Sequence, residues 1–213
     1  MTQTHDSLSA FEADFADHLE LSADAQDLLF REARTANTFT DEPVTDEQMR
    51  AVYDLVKWAP TSMNNQPLRI VLVRSPEART KLVEHMGGNN KPKTSVAPLV
   101  AVLAADLDFH DELGKVFPHF EGARDLFAAN EAMREGSARL NATLQVAYFI
   151  LGVRAAGLAA GPMTGFDAAG VDRDFFPDGK HRTIAVVNLG RPAEGAWFER
   201  LPRLDYDEVV TTV

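Results

Sequence analysis

Apolar positions along this chain alternate between two spacings, and the changes of spacing mark its elements. Leu68-Arg69-Ile70-Val71-Leu72-Val73 is β-branched and apolar and reads as a strand. Pro98 to Ala105 and Thr183 to Leu189 are near-continuous apolar runs and read as buried strands. Helical spacing lies between them. Thr45-Asp46-Glu47-Gln48 is a capping box, and the helix it opens puts Met49, Val52, Leu55 and Val56 on one face. Ser75-Pro76-Glu77 opens a further helix, with Pro76 at the first helical position. Ser22 caps a short helix through Arg31 that buries Leu28, Leu29 and Phe30. Residues 106–136 are mixed, with Phe109, Phe117, Phe120 and Phe127 spread among polar positions.

From about Ala138 to Ala156 the chain is apolar nearly all round. Leu140, Leu144, Tyr148, Leu151 and Ala155 line one face, and Val146, Phe149, Ile150 and Val153 cover the other. Such a helix belongs in a core or an interface. Gln145 and Arg154 inside it argue against a membrane span. Gly157 is placed to stop it. Strands alternating with helices, without repeats or a linker, predict one α/β or α+β domain over residues 22–213. Residues 1–21 are acidic and weakly periodic and read as an N-terminal extension or flexible arm.

A chain of 213 residues is long enough for a large core. Its formal charge of −11 excludes the basic field that nucleic acid or an anionic membrane needs. Without cysteine it has no disulfide, no thiol nucleophile and no cysteine metal site, which agrees with a cytoplasmic protein. The six histidines form no H-x-x-x-H pair, so no metal site is expected. There is no G-x-G-x-x-G after a strand and no G-x-S-x-G, so neither a nicotinamide-binding Rossmann unit nor ordinary hydrolase chemistry is indicated.

The richest polar segment is Trp58-Ala59-Pro60-Thr61-Ser62-Met63-Asn64-Asn65-Gln66-Pro67, a helix-to-strand turn. Its two prolines restrict the backbone. The amides of Asn64, Asn65 and Gln66 are suited to present donors and acceptors to a flat polar ring. On its own it is equally a polar connecting loop.

Four further features fall in a telling order. Ala33-Arg34-Thr35-Ala36-Asn37 precedes the first long helix. Ala59 to Pro67 matches an APS-x-x-N-x-Q-P turn, with Thr61 in place of Ser. Gly161-Pro162-Met163-Thr164-Gly165-Phe166 follows the central helix. Arg203 stands shortly before Glu208-Val209-Val210. In this order, from about Leu28 to the C-terminus, the chain resembles the nitroreductase family of flavin enzymes. The runs Phe117-Pro118-His119, Gly161-Pro162-Met163 and Leu201-Pro202-Arg203-Leu204 are similar, more narrowly, to its malonic-semialdehyde reductase branch, found with the Rut route of pyrimidine degradation.

The resemblance implies an α+β nitroreductase fold, a mixed sheet flanked by helices, and an intertwined homodimer with FMN at the interface. It implies a ping-pong oxidoreductase that takes hydride from NADH or NADPH and passes it to a small electrophile. That acceptor is malonic semialdehyde, giving 3-hydroxypropionate, or else a quinone or nitroaromatic. A non-enzymatic flavin-binding or sensor protein is the alternative of another class. Arg34, Thr35 and Arg203 match positions that meet the flavin phosphate, with Arg200 a weaker candidate; a surface salt bridge is the plain alternative. Pro60, Thr61, Ser62 and Asn64 match the turn that wraps phosphate and ring. Asn90 and Lys93 reproduce an Asn-x-x-Lys spacing that brings positive charge to the ring's N1/O2 edge; otherwise they belong to a polar loop. Pro162, Thr164 and Gly165 match the segment whose backbone N–H meets N5, and Gly165 is otherwise a turn glycine. Asn37 and Ala33 depart from the pattern, standing where many members carry basic residues. No side chain is an obvious proton donor, and water or Tyr148 is left for that role.

Overall fold

The computed structural model describes residues 18–213. Most of the expected N-terminal extension therefore lies outside the described residues. Four strands form one antiparallel sheet in the order β1-β2-β4-β3: β1 Leu68–Val73, β2 Leu99–Asp106, β3 Ala159–Met163 and β4 His181–Gly190. The three strands expected from apolar runs are present, and the pairing is antiparallel throughout, which makes the fold α+β and corrects the mixed sheet that the resemblance implied. β3 was not expected. Its sequence, Ala-Ala-Gly-Pro-Met, is too small and too interrupted for strand pattern, and Pro162 is tolerated because β3 is an edge strand.

β2 shows why its run is apolar without alternation. Leu99, Ala101 and Leu103 face one core, and Val100, Val102 and Ala104 face another. The first core is closed by α2 (Asp46–Val56) and the long α7 (Glu131–Ala155), the second by α3 (Pro76–His85) and α8 (Ala168–Phe175). A third cluster, around Phe109, Leu113 and Phe127, plugs the sheet's end beneath α5 (Leu113–Val116) and α6 (Ala123–Ala128). Two shorter helices complete the described chain's interior, α1 (Ala23–Gln26) and α4 (Asn90–Val96).

The helix signals hold locally. Thr45 accepts from Gln48 N–H at 3.2 Å while its own N–H donates to Gln48 Oε1 at 2.9 Å, so the capping box is closed. Gly157 has φ +71°, and its N–H donates to Arg154 C=O while Leu158 N–H donates to Val153 C=O, which ends α7 in a Schellman motif.

Burial corrects three expectations. Ser22 does cap a helix, but α1 ends at Gln26 and passes into a wider turn over Asp27–Arg31. There Leu28 and Phe30 are exposed, and the buried residue is Gln26. Leu55 is exposed, although Met49, Val52 and Val56 are buried as expected. On α7, Leu140, Leu144 and Tyr148 are exposed, so the helix is buried on one side only within this chain. The tail is similarly uncovered: Leu201, Leu204, Tyr206 and Val209 project from residues 199–213, whose last helical turn is α9 (Tyr206–Val209). On α2 and α7 helical spacing located an apolar face that the described residues leave uncovered.

β3 holds the segment before α2. Ala36 N–H donates to Ala160 C=O at 3.0 Å, and a Cβ at Gly161 would lie 2.6 Å from Ala36 O. Gly161→Ala should therefore push the two backbones apart and destabilise the fold by about 1–3 kcal/mol. Urea denaturation checks this; an unchanged midpoint would mean that the contact gives way at no cost.

Candidate functional site

The candidate residues form three groups. The first lies on the segment strapped to β3. Arg34, Thr35, Asn37, Arg200 and Arg203 line one cavity of about 230 Å³ with Ala33, Phe198, Glu199 and Leu201. Arg34 Nη1 donates to Phe198 C=O at 3.2 Å, and Arg203 Nη1 to the carbonyls of Leu201 and Pro202. Arg200 donates to Arg31 C=O. None of the three guanidinium groups forms an ion pair with a carboxylate among the described residues, so the salt-bridge alternative is not what the geometry shows. Arg200, ranked below Arg203 from sequence, shares the cavity with it. Asn37 is held by its own strap: Nδ2 donates to Thr35 C=O, and its N–H to Ala196 C=O.

The second group sits where β3 ends. Pro162 is within the strand and Thr164 and Gly165 follow it, both exposed. Gly165 C=O accepts two donors, Gly87 N–H at 2.8 Å and Asn90 Nδ2 at 3.0 Å. Phe166 N–H donates back to Thr164 C=O at 3.1 Å. Gly165's own N–H has no protein acceptor among the described residues. Asn90 and Lys93 are not in a loop: they belong to α4, whose first residue is Asn90. Arg79 pins α4 by donating to the carbonyls of Thr94 (3.0 Å), Ala97 (2.6 Å) and Val73 (3.2 Å). Burial pushes the Arg79 guanidinium below its ordinary pKa, so these carbonyls are partners in a low-dielectric site. Lys93 is half-buried and has no ion pair among the described residues.

The third group is the turn before β1. Its backbone is strained: Met63, Asn64 and Gln66 have φ of +52°, +50° and +41°. Non-glycine residues there cost about 1–3 kcal/mol each. The restraint comes from α7. Ser62 N–H donates to Asn141 Oδ1 at 2.7 Å, Asn65 Nδ2 to Ser137 Oγ at 3.0 Å, and Leu68 N–H to Gln145 Oε1 at 3.0 Å. Asn141 and Gln145 are buried, at 3% and 9% exposure. Thr61 Oγ1 accepts from Gln66 N–H, and Asn64 Nδ2 donates to Val116 C=O at 2.8 Å. This corrects the expectation that Asn64, Asn65 and Gln66 display their amides. Asn65 is buried, and Gln66 donates to Asn64, so the amides build the turn. Pro60, Ser62 and Asn64 stay exposed at its surface.

The polar stripe Ser137, Asn141, Gln145 was missed from sequence because the helix was read by its apolar positions. The signal was present: three hydrogen-bonding side chains at i, i+4 and i+8 share one face. No hydrogen bond or ion pair among the described residues joins the third group to the first two, which flank the opposite edge of the sheet.

The model of the Nitroreductase family matches residues 30–191, about three quarters of the chain. The chain belongs to the nitroreductase family. A protein of Streptomyces griseus named "Putative NADH dehydrogenase/NAD(P)H nitroreductase" is 64% identical over 195 residues, covering 92% of this chain and 99% of its own. One of the same name from Streptomyces coelicolor is 65% identical over the same coverage. Among solved structures, the "putative nitroreductase ydfN" of Bacillus subtilis superposes with TM-score 0.77 at 23% identity, over 87% of this chain and 97% of its own. A nitroreductase of Exiguobacterium sibiricum, solved in complex with FMN, gives TM-score 0.75 at 17% identity, over 91% of this chain and 99% of its own. These likenesses show the nitroreductase fold.

The strained turn yields a direct test in this family member. Asn141→Leu removes the acceptor for Ser62 N–H inside the fold and should cost about 1–3 kcal/mol in urea unfolding. A variant as stable as the parent would mean that the turn holds itself.

Proposed function

We propose that this chain is an FMN-dependent NAD(P)H oxidoreductase. The observation that carries the reading is the arginine cavity beside β3. Three guanidinium groups with no carboxylate ion pair among the described residues surround one small space with Thr35, in a chain of net charge −11. That donor set suits a phosphate dianion, which accepts forked and charge-assisted hydrogen bonds. At the far end of the same strand, the Gly165 N–H, without an acceptor among the described residues, suits a ring nitrogen. FMN, when bound, supplies a ring that accepts a hydride from a nicotinamide and gives it up to an electrophile.

The chain's residues divide that work. Arg34, Arg203, Arg200 and Thr35 would hold the phosphate, and Asn37 would fix the strap that carries two of them. Gly165, with Thr164 and Pro162 behind it, would offer its N–H to the ring. Asn90 would hold the same residue from its other side, through the C=O of the Gly165–Phe166 peptide. Lys93 would supply positive charge from a helix that Arg79 holds in place. Pro60, Thr61, Ser62 and Asn64 would close over the ring from a rigid turn.

The turn and the other two groups flank strands at opposite edges of the sheet, roughly 14 Å apart at about 4.8 Å per strand. A second copy of the chain brings them together, so we infer a homodimer. The uncovered side of α7 at Leu140, Leu144 and Tyr148, and the apolar tail at Leu201, Leu204, Tyr206 and Val209, support it. Among the described residues no helix is long and apolar enough to cross a membrane.

The acceptor has two readings. The names carried by the Streptomyces proteins favour a nitro compound, and a quinone belongs to the same broader reading. Malonic semialdehyde rests on the narrower sequence resemblance alone. NAD(P)H oxidation with each acceptor under identical conditions separates them.

Arg34→Ala and Arg203→Ala should each weaken FMN binding by about 1.5–3 kcal/mol, roughly 10- to 100-fold in Kd. Fluorescence titration with FMN measures this, and parental affinity in both variants would remove the phosphate assignment. Sedimentation at low micromolar concentration should give a dimer. A stable, folded monomer that retains FMN would contradict the shared site.

A further inference from the structure

We propose that His85 is a positioning residue: its imidazole fixes the peptide at Gly165, and its protonation tightens that hold. The proposal rests on the reading of Gly165 as the donor to the ring. Residues 85–87 pair antiparallel with 165–167. Gly87 N–H donates to Gly165 C=O at 2.8 Å, Asp167 N–H donates to His85 C=O at 2.8 Å, and Met86 bridges Phe166 between them. The His85 ring then locks this pairing from behind. Its Nε2 lies 2.8 Å from Asp174 Oδ2, and its Nδ1 lies 3.9 Å from Asp167 Oδ2. Asp167 stands at the N-cap position of α8 without a side-chain capping bond, and Asp174 lies two turns further along the same face.

Two glycines make the room. Gly170 lies between the two aspartates on that face, and a Cβ there would overlap His85 Nδ1 and sit 2.5 Å from Asp167 Oδ2. A glycine inside a helix costs about 1 kcal/mol relative to alanine, so the helix gives up stability where the ring sits. A Cβ at Gly87 would lie 2.8 Å from Gly165 O.

The charges set the sign. Asp167 and Asp174 face the ring, and Lys81 and Arg173 act on Asp174 from α3 and α8. The hydrogen bond with His85 holds the Asp174 carboxyl below the usual carboxylate range against the opposing effect of burial. A neutral imidazole has one N–H. Given to Asp174, it leaves a lone pair facing the Asp167 carboxylate. The imidazolium attracts both carboxylates and draws α8 onto residues 85–87. Asp167 is two residues from Gly165, so this tightening is passed along the backbone to the Gly165 C=O that Gly87 and Asn90 hold, and through it to the conformation of Gly165. Loss of the proton releases Asp167 and loosens it.

The test is amide NMR on the full chain, with and without added FMN, across the pH range of histidine titration. In the parent protein the Gly165 amide should titrate together with the His85 ring. In His85→Gln that step should vanish, and the N–H groups of Gly87 and Asp167, which close the pairing, should exchange with solvent several-fold faster. Asp174→Asn keeps an acceptor but removes a charge that draws α8 onto residues 85–87, and the pH-dependent change at the Gly165 amide should then be smaller. With FMN bound, the pH dependence of the flavin midpoint potential should lose the same step in His85→Gln. A Gly165 amide that ignores the ring in the parent, or titrates unchanged in His85→Gln, overturns the proposal. A chain that binds no FMN overturns the flavin reading alone, because the amide titration without FMN still decides the role of His85.

Discussion

The turn before β1 holds three non-glycine residues in left-handed backbone within four positions, and the fold has to restrain them. At about 1–3 kcal/mol each, such residues unwind unless neighbours over-determine them. Ser137, Asn141 and Gln145 do this from a single face of α7, meeting Asn65, the Ser62 N–H and the Leu68 N–H in turn. The long helix is therefore both a wall of the first core and the mount of the turn. Asn64 extends the same network to Val116 and links the turn to the end of α5.

β3 is the second organising element. Its first half holds the segment bearing Arg34, Thr35 and Asn37 through Ala36, and its end delivers Thr164 and Gly165. The arginine-lined cavity and a backbone N–H without an acceptor among the described residues thus lie along one edge strand. The second core supports that strand through buried Met163, against which Thr94 of α4 packs. The helix carrying Lys93 and the strand carrying Gly165 are in this way parts of one packed unit.

Much of the fold was legible because its signals are local. Capping boxes, a proline at a helix start and an apolar run buried on both faces depend on a few adjacent residues, and the Thr45 box, Pro76 and β2 followed from them. β3 was not legible, because Ala-Ala-Gly-Pro-Met is a strand only through its partner β4 and the close approach of Ala36. Exposure of Leu55, Leu140 and Leu144 was not legible either, since periodicity identifies an apolar face without saying which molecule covers it. At the candidate site, motif order located Arg34, Arg203, the turn and Gly165. It did not show that the turn's amides point inward, that Arg200 joins the cavity, or that His85 stands behind Gly165. Those facts come from residues distant in sequence: Asn65 and Ser137 are 72 positions apart, and His85 and Asp174 are 89.

The central claim is that this nitroreductase-family chain holds FMN in a site built around the arginine cavity and Gly165 and uses it to move hydride. The most direct measurement is the visible spectrum of the purified protein under anaerobic conditions, before and after NADH or NADPH is added. The account predicts flavin bands that bleach on addition of the nicotinamide and return when an acceptor follows. A protein that remains colourless after incubation with FMN and desalting would contradict it.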